Sequence, residues 1–468
     1  MEAPSGFRLP RICLPRSGID LAKWAVIACD QYTSEPTYWQ RVEQAVGNAP
    51  STLHLIFPEV HLEASDAPAR IARIQAAMRR YLAEGLFVER EGAVLVERTV
   101  GTGTVGDDGD AVDSRARRGL MLELDLEHYD FSATSTSLIR PTEGTIVARL
   151  APRIEVRRGA ELELPHILVL IDDPEGTVIE PIAKARATLE PLYDTELMLG
   201  GGRVRGFAVG AAHGAAAARA LGALARPETM ARRYDVPAGT PPMLFAVGDG
   251  NHSLATAKSI WEQAKAERGA NVGMDHPSRW ALVEVENIHD PALHFAPIHR
   301  LLFGVRTDVR AALAEAFGPR FSCRDVPNAE AMRAQVQALL AATAAATGTT
   351  GAIARTRAEQ VAGLVEPGGR CAVIRIADPP ASLAVGTLQP VIDRIVEQGG
   401  ATAVDYVHGD ETLERLAQEP GCAGFHLGTV AKGELLKRVM HEGPLPRKTF
   451  SMGEAHEKRY YVEARKVR

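Results

Sequence analysis

Phe245-Ala246-Val247-Gly248-Asp249-Gly250-Asn251-His252-Ser253-Leu254-Ala255-Thr256-Ala257-Lys258 decides how this chain is read. An apolar run stops at Gly248, two glycines flank one aspartate, and a helical pattern opens within a few residues. That order predicts strand, turn and helix, with Met243 to Val247 as the strand and Leu254 to Ala266 as the helix. Glycine allows positive φ and close approach of a ligand to the backbone. The unpaired N–H groups of a helix's first turn point into such a turn, where a phosphate can accept them. Asp249 is an anion and would not bind phosphate directly. It suits holding a magnesium ion or taking a proton from a substrate hydroxyl. His252 suits donating to a phosphoryl oxygen or shuttling a proton. The same residues also fit a plain capped turn, and the stretch is neither a Walker loop nor a dinucleotide fingerprint.

Outward from this turn, strand and helix patterns alternate, which predicts an α/β (mixed α+β) fold. Trp24 to Cys29, Leu53 to Phe57, Phe87 to Val100, Leu120 to Leu126, His166 to Ile171 and Trp280 to Glu286 read as strands. Ser34-Glu35-Pro36 opens a helix carrying Tyr38, Trp39 and Val42, and Asp66 to Ala83 reads as an amphipathic helix. Residues 101–110 read as a hairpin tip. Ala311 to Ala346 reads as alanine-rich helix running into a low-complexity turn at 347–351. The pattern changes near residue 305, which divides the chain into a region 1–305 bearing the candidate site and an α/β C-terminal region 306–468.

Bulk properties narrow the function classes. The 468 residues include 53 basic and 59 acidic side chains, a formal net charge of −6. That disfavours broad binding to nucleic acid or anionic lipid, which needs a basic surface. Five scattered cysteines give neither zinc spacing nor a disulfide framework. No apolar stretch has signal-peptide or membrane-span length, so the expected location is the cytoplasm. The expected partner is a small-molecule substrate.

Further constellations carry possible chemistry. In Arg140-Pro141-Thr142-Glu143-Gly144-Thr145, Arg140 fits an anion clamp and Glu143 a general base; a capped helix start fits equally. Asp30 and Tyr32 follow a strand end, where ligands often sit in α/β sheets, and are candidate substrate contacts. His299-Arg300 can contribute a cation. His289, His294 and His299 are five apart, a spacing that puts no two on one helical face. Asp172-Asp173 and Glu284/Glu286 offer carboxylates for magnesium but read better as solvated turn or strand-face charges, and Gly200-Gly201-Gly202-Arg203 reads as an ordinary loop rather than a lid over the site.

Gly248 to Ala257 resembles the Asp-Gly-His-His-Arg signature of the domain-of-unknown-function 1015 family. Other family-like stretches follow in order: 28–32, 48–54, 140–145, 297–300 and 446–449. The turn also resembles the phosphate-binding turn of the ParB/sulfiredoxin-like superfamily, which includes free-serine kinases. The resemblance implies phosphoryl transfer from ATP or ADP, with Mg2+, to a small hydroxylated metabolite, L-serine first. In that picture Gly248, Gly250, Asn251 and Ser253 line the phosphate, and Asp249 binds magnesium or orients the hydroxyl. A non-catalytic nucleotide- or metabolite-binding regulator and a phosphate-ester hydrolase or transferase use the same residues. Where the signature reads His-His-Arg, this chain has Asn251-His252-Ser253. The arginine's bidentate clamp is missing, and Arg140, Arg149 and Arg300 are the candidate substitutes.

Overall fold

A computed structural model describes residues 6–99, 116–147, 150–269, 273, 275–346, 359–428 and 430–468. The tip at 101–110, Arg149 and the turn at 347–351 lie outside the described residues. The chain divides into two compact units. The first holds residues up to His294 together with Leu435–Pro444 and Met452–Arg468; the second holds Phe295–Glu434 and Leu445–Ser451.

Among the described residues, the first unit is built on a nine-stranded mixed sheet. Its order is Pro191–Leu197, Gly202–Ala208, Val94–Thr99, Ala116–Asp125, Trp280–Asn287, Leu168–Ile171, Phe245–Asp249, Ile139–Pro141, with Phe7–Arg8 beside Ala116–Asp125. Leu168–Ile171 is apolar at every position and fully buried, as a strand covered on both faces should be. It runs parallel to Trp280–Asn287 and antiparallel to Phe245–Asp249. Side chains alternate across the sheet. Leu95, Leu122, Val169, Phe245 and Val283 pack on one side, and Val94, Val96, Met121 and Leu282 pack with Trp39 and Val42 on the other.

The end of the chain is threaded back into this unit. Tyr460–Tyr461 pairs with Val26–Ile27, and Arg465–Lys466 pairs with Leu162–Glu163. Buried arginines hold the returning backbone. Arg98 donates to the His456 carbonyl at 3.0 Å and Arg117 to the Glu457 carbonyl at 3.2 Å. Arg465 donates to Glu163 at 3.0 Å, and Arg157 pairs with the same carboxylate. Burying these charges is tolerable only because each is paired or hydrogen-bonded.

The second unit has its own antiparallel sheet, in the order Phe321–Val326, Arg370–Ile376, Gln360–Glu366, Ala423–His426, Phe295–Phe303, Ala403–His408. Helices Val309–Phe317, Ala329–Ala346, Ala384–Glu397 and Asp410–Ala417 belong to it.

Three expectations are corrected. Leu53 to Phe57 is not a strand: Thr52–Leu55 is one turn of 3-10 helix, capped by the Ser51 hydroxyl on the Leu53 N–H at 3.2 Å. The alanine-rich stretch is two helices, because Gly318-Pro319 stops the first and Phe321–Val326 then runs as a strand. The region 306–468 is not one block, since its last segment returns to the first unit. Among the described residues, no helix is long and apolar enough to cross a membrane.

Candidate functional site

The turn after Phe245–Asp249 is built as a helix entrance. Gly250 has φ 78°, ψ 26° and is the N-cap of helix Asn251–Arg268, to which it offers no side-chain cap. A glycine at the left-handed cap brings no side-chain acceptor of its own to the first-turn N–H groups. Packing accounts for both glycines. A Cβ at Gly248 would lie 2.3 Å from the Met452 sulfur, and one at Gly250 would lie 3.1 Å from Ile167 Cα. The glycines therefore do not by themselves report a bound ligand.

Asp249 does not cap the helix. Its Oδ1 accepts the N–H of Gly250 at 3.1 Å, and its Oδ2 lies 3.1 Å from Nζ of Lys458. Lys458 is nearly buried, so this ion pair is screened little by water.

The 140–145 motif lies beside the turn. Ile139–Pro141 pairs in parallel with Phe245–Val247, so both strands end at the same edge. Thr142 Oγ1 donates to the Val247 carbonyl at 2.6 Å, and the Ile146 N–H reaches His252 Nε2 at 3.4 Å. With Nε2 accepting, a neutral His252 carries its proton on Nδ1. Glu143 thus sits in a loop tied to the turn.

The expected arginine substitutes do not fill the gap. Arg140 is buried, and its guanidinium donates to the carbonyls of Ser137 at 2.8 Å and Pro241 at 3.0 Å, with Met440 sulfur at 3.4 Å. Burial lowers its pKa, and its donors turn to two carbonyls and a thioether. Arg300 belongs to the second unit and is 1% exposed. It donates to Gln389 at 2.5 Å and to the carbonyls of Ile298, Lys448 and Arg447 at 2.7, 3.0 and 3.2 Å. Both arginines hold backbone in place. Arg149 lies outside the described residues.

A second group adjoins the turn through Ser253. Its hydroxyl lies 2.8 Å from His166 Nε2, and His166 Nδ1 lies 2.8 Å from the Tyr461 hydroxyl. The Tyr461 oxygen accepts the N–H of Cys29 at 3.1 Å. Asp30 Oδ2 stands 3.7 Å from His166 Nε2. The Glu59 N–H donates to the Cys29 carbonyl at 2.8 Å, and its carboxylate accepts two bonds from Arg153 at 2.7 and 2.5 Å. Cys29, Glu59, Arg153, His166, Ser253 and Tyr461 share the wall of a cavity of about 140 Å³ whose other side is apolar. Tyr32 is held at φ 51°, unusual for a bulky residue, and stacks on Tyr38 with centroids 3.7 Å apart.

The two carboxylates here are driven in opposite directions. Burial alone would raise Asp30, but His166, Gln31 and Lys458 bring it below its ordinary value. Glu59 is raised, chiefly by burial and then by the charge of Asp30, against the pull of Arg153. Burial pushes the Cys29 thiol far up, so it stays protonated and is a poor nucleophile.

Sequence reasoning missed Glu59, Arg153, His166, Lys458 and Tyr461. None belongs to a local motif; each arrives from a different element. His166 stood only as the first residue of a stretch read as a strand, which in the structure begins at Leu168.

Two other places merit comparison. A larger cavity of about 870 Å³ is rimmed by Arg8, Arg11 and Arg90, but these are paired with Glu123, Glu91 and Glu190. In the second unit, Nε2 of His299 and of His426 lie 2.9 and 3.1 Å from Asp410 Oδ1, a grouping compact enough for a metal ion. Yet the Leu427 N–H donates to His299 Nδ1 at 3.1 Å. That contact keeps the neutral ring's proton on Nε2, where a metal would need a lone pair. The cluster is a hydrogen-bonded structural unit.

The family model "Protein of unknown function (DUF1015)" matches residues 13–395. No curated protein matches the chain. Similar solved structures include a mutant free serine kinase in complex with AMP, 11% identical, covering 74% of this chain and 92% of that one, TM-score 0.38. A conserved hypothetical protein from Pyrococcus furiosus is 12% identical over 74% and 95%, TM-score 0.35. SbnI with C-terminal truncation from Staphylococcus aureus is 10% identical over 71% and 81%, TM-score 0.31. At these scores the likenesses carry no functional argument. The family match spans most of the sequence, and the chain belongs to the DUF1015 family.

Proposed function

We propose that this chain transfers a phosphoryl group from ATP or ADP to the hydroxyl of a small metabolite, L-serine being the first acceptor to try. The observation that carries the reading is the convergence at one helix entrance of a glycine cap, the cation Lys458 and the Glu143 loop. Phosphoryl transfer is mainly positioning and charge neutralisation, which such an arrangement supplies. The resemblance of the turn to ParB/sulfiredoxin-like phosphate-binding turns points the same way.

In this reading the backbone of Gly248 and Asn251 holds phosphate oxygens, the Gly250 N–H being taken by Asp249, with Ser253 in the same helical turn. His252 donates through Nδ1, and Lys458 takes the place of the missing arginine. Glu143 and Glu59 are the candidate bases for the acceptor hydroxyl, and Asp30 and Tyr32 shape the acceptor side. Asp249, Asp30 and Glu59 each face a basic partner: Lys458, His166 and Arg153. Such opposed pairs suit a zwitterionic acceptor, whose carboxylate and ammonium can each take one partner. The same pairing bears on magnesium. The Asp249 carboxylate already accepts Lys458 and a backbone N–H, so it does not fit the role of a ready magnesium ligand, and charge neutralisation falls to the chain's own cations.

The test incubates the chain with the magnesium salt of ATP or ADP and a panel of small alcohols including L-serine. A phosphomonoester formed in step with the shortened nucleotide is expected. No phosphorylated product, together with no nucleotide binding, would sink the proposal.

A further inference from the structure

Resting on the phosphoryl-transfer reading, we infer that Ser253 is itself a phosphoryl acceptor, with His166 as its base, so that the chain works through a phosphoserine intermediate. Ser253 stands where the family signature has arginine, so this chemistry would be particular to chains that share the change. Its hydroxyl behaves unlike its neighbours'. Thr256 and Ser259, on the same helix, donate back to the carbonyls of His252 and Ala255 at 2.7 and 2.8 Å. That is the ordinary use of a hydroxyl inside a helix. Ser253 instead reaches across to His166 Nε2 at 2.8 Å, on the wall of the cavity.

The surroundings of His166 complete a nucleophile–base–orienter arrangement. The Tyr461 oxygen accepts the Cys29 N–H and stands 2.8 Å from His166 Nδ1. With the ring proton donated from Nδ1 to that oxygen, Nε2 turns its lone pair to the Ser253 O–H. Asp30, 3.7 Å from Nε2, favours the imidazolium formed when the proton is taken. Tyr461 and Asp30 are positioning residues; Ser253 and His166 touch the reacting atoms. In the first step Ser253 Oγ attacks the terminal phosphorus of the nucleotide and its proton passes to His166 Nε2. The bond from that phosphorus to the bridging oxygen breaks, and its electron pair leaves with the shortened nucleotide. In the second step an acceptor hydroxyl attacks the phosphoserine and gives its proton to Glu59, which shares the cavity wall. Oγ leaves with its electron pair and recovers the proton from His166. The intermediate lies in the first turn of an 18-residue helix, where the N-terminal dipole favours its charge.

The experiment uses the full chain and ATP labelled in its terminal phosphate, quenched and digested for peptide mapping, with nucleotide binding measured alongside by calorimetry. Label on Ser253 is expected, absent from Ser253→Ala and formed about a hundredfold more slowly in His166→Gln. Tyr461→Phe should slow labelling while nucleotide affinity is unchanged. Asp30→Asn should likewise slow labelling while nucleotide affinity is unchanged, because Asp30 stands 3.7 Å from His166 Nε2. A wild-type chain that binds nucleotide and phosphorylates an alcohol without label on Ser253, or a Ser253→Ala variant with full turnover, overturns the inference and leaves the kinase reading standing. A wild-type chain that binds no nucleotide removes both.

Discussion

The two units each hold buried histidine beside a carboxylate, and they use it in opposite ways. In the second unit, His299 and His426 stack face to face with centroids 4.7 Å apart and converge on Asp410. Asp410 is drawn well below the usual carboxylate range, first by its bond from His299 and then by that from His426. His299 also accepts a backbone N–H, so both its nitrogens are committed, and burial lowers its pKa. In the first unit, His166 is held on one side by Tyr461 and meets a serine hydroxyl at a cavity wall on the other. The difference lies in what faces the second nitrogen. A backbone amide makes a histidine architectural; a hydroxyl beside space for a ligand makes it a candidate base. Proximity of histidine to carboxylate does not separate the two cases, whereas the partner at each nitrogen does.

That contrast can be broken by substitution. The largest expected effect is His166→Gln, which should cut turnover by about a hundredfold or more with little change in thermal stability; steady-state rates and a melting curve check it. Full activity in this variant would make His166 as architectural as His299. Next is the acid limb of stability in the first unit. Glu163 sits fully within the protein at a pKa of about 2: burial alone would raise it, but Arg465 and Arg157 overcome that. A carboxylate whose folded pKa is depressed stabilises the fold above its unfolded value, near 4.5, and loses that contribution as pH falls toward 2. The contribution is on the order of 3 kcal/mol, an upper bound because desolvation opposes it. Glu163→Gln should flatten the stability profile over that window, followed by denaturant unfolding. Because Glu163 anchors the segment that carries Lys458 and Tyr461, activity should be lost in parallel.

A smaller effect is expected at the architectural cluster. His299→Leu strips a partner from the Leu427 N–H and from Asp410 and should cost about 1–3 kcal/mol in unfolding free energy. Turnover should be unchanged wherever the protein stays folded, the reverse of the His166 result. The smallest is Lys458→Met, which should weaken nucleotide affinity by about tenfold, or 1.4 kcal/mol. Lys458→Arg should restore most of it; equal affinity in all three proteins would exclude Lys458 as the replacement cation.

Much of this was legible locally and little of it at long range. The turn at 245–253 and its helix announce themselves, because glycine, aspartate and an apolar run are neighbours in sequence. Helix Pro36–Val46 was equally plain from its first-turn proline and the Tyr38, Trp39, Val42 stripe. Leu53 to Phe57 misled because a short apolar run has no period that separates a strand from a tight turn. The alanine-rich stretch misled because alanine's helical preference obscures a break that Gly318-Pro319 imposes. The placement of Arg140 could not be read at all: in sequence it looks like an exposed clamp, and only the packing around Pro241 and Met440 turns it inward. Lys458 and Tyr461 were invisible for the same reason. They lie some two hundred residues past the turn, in a segment whose return is fixed by buried arginines rather than by local pattern.

The proposed phosphoryl transfer requires a nucleotide phosphate to rest on the entrance of helix Asn251–Arg268. Asn251→Asp tests it most directly, because a carboxylate in the first turn suits the helix dipole yet occupies the phosphate's place with like charge. Calorimetric ADP affinity is expected to fall more than about tenfold while the circular dichroism spectrum is unchanged. Undiminished ADP binding by a folded Asn251→Asp protein would contradict it.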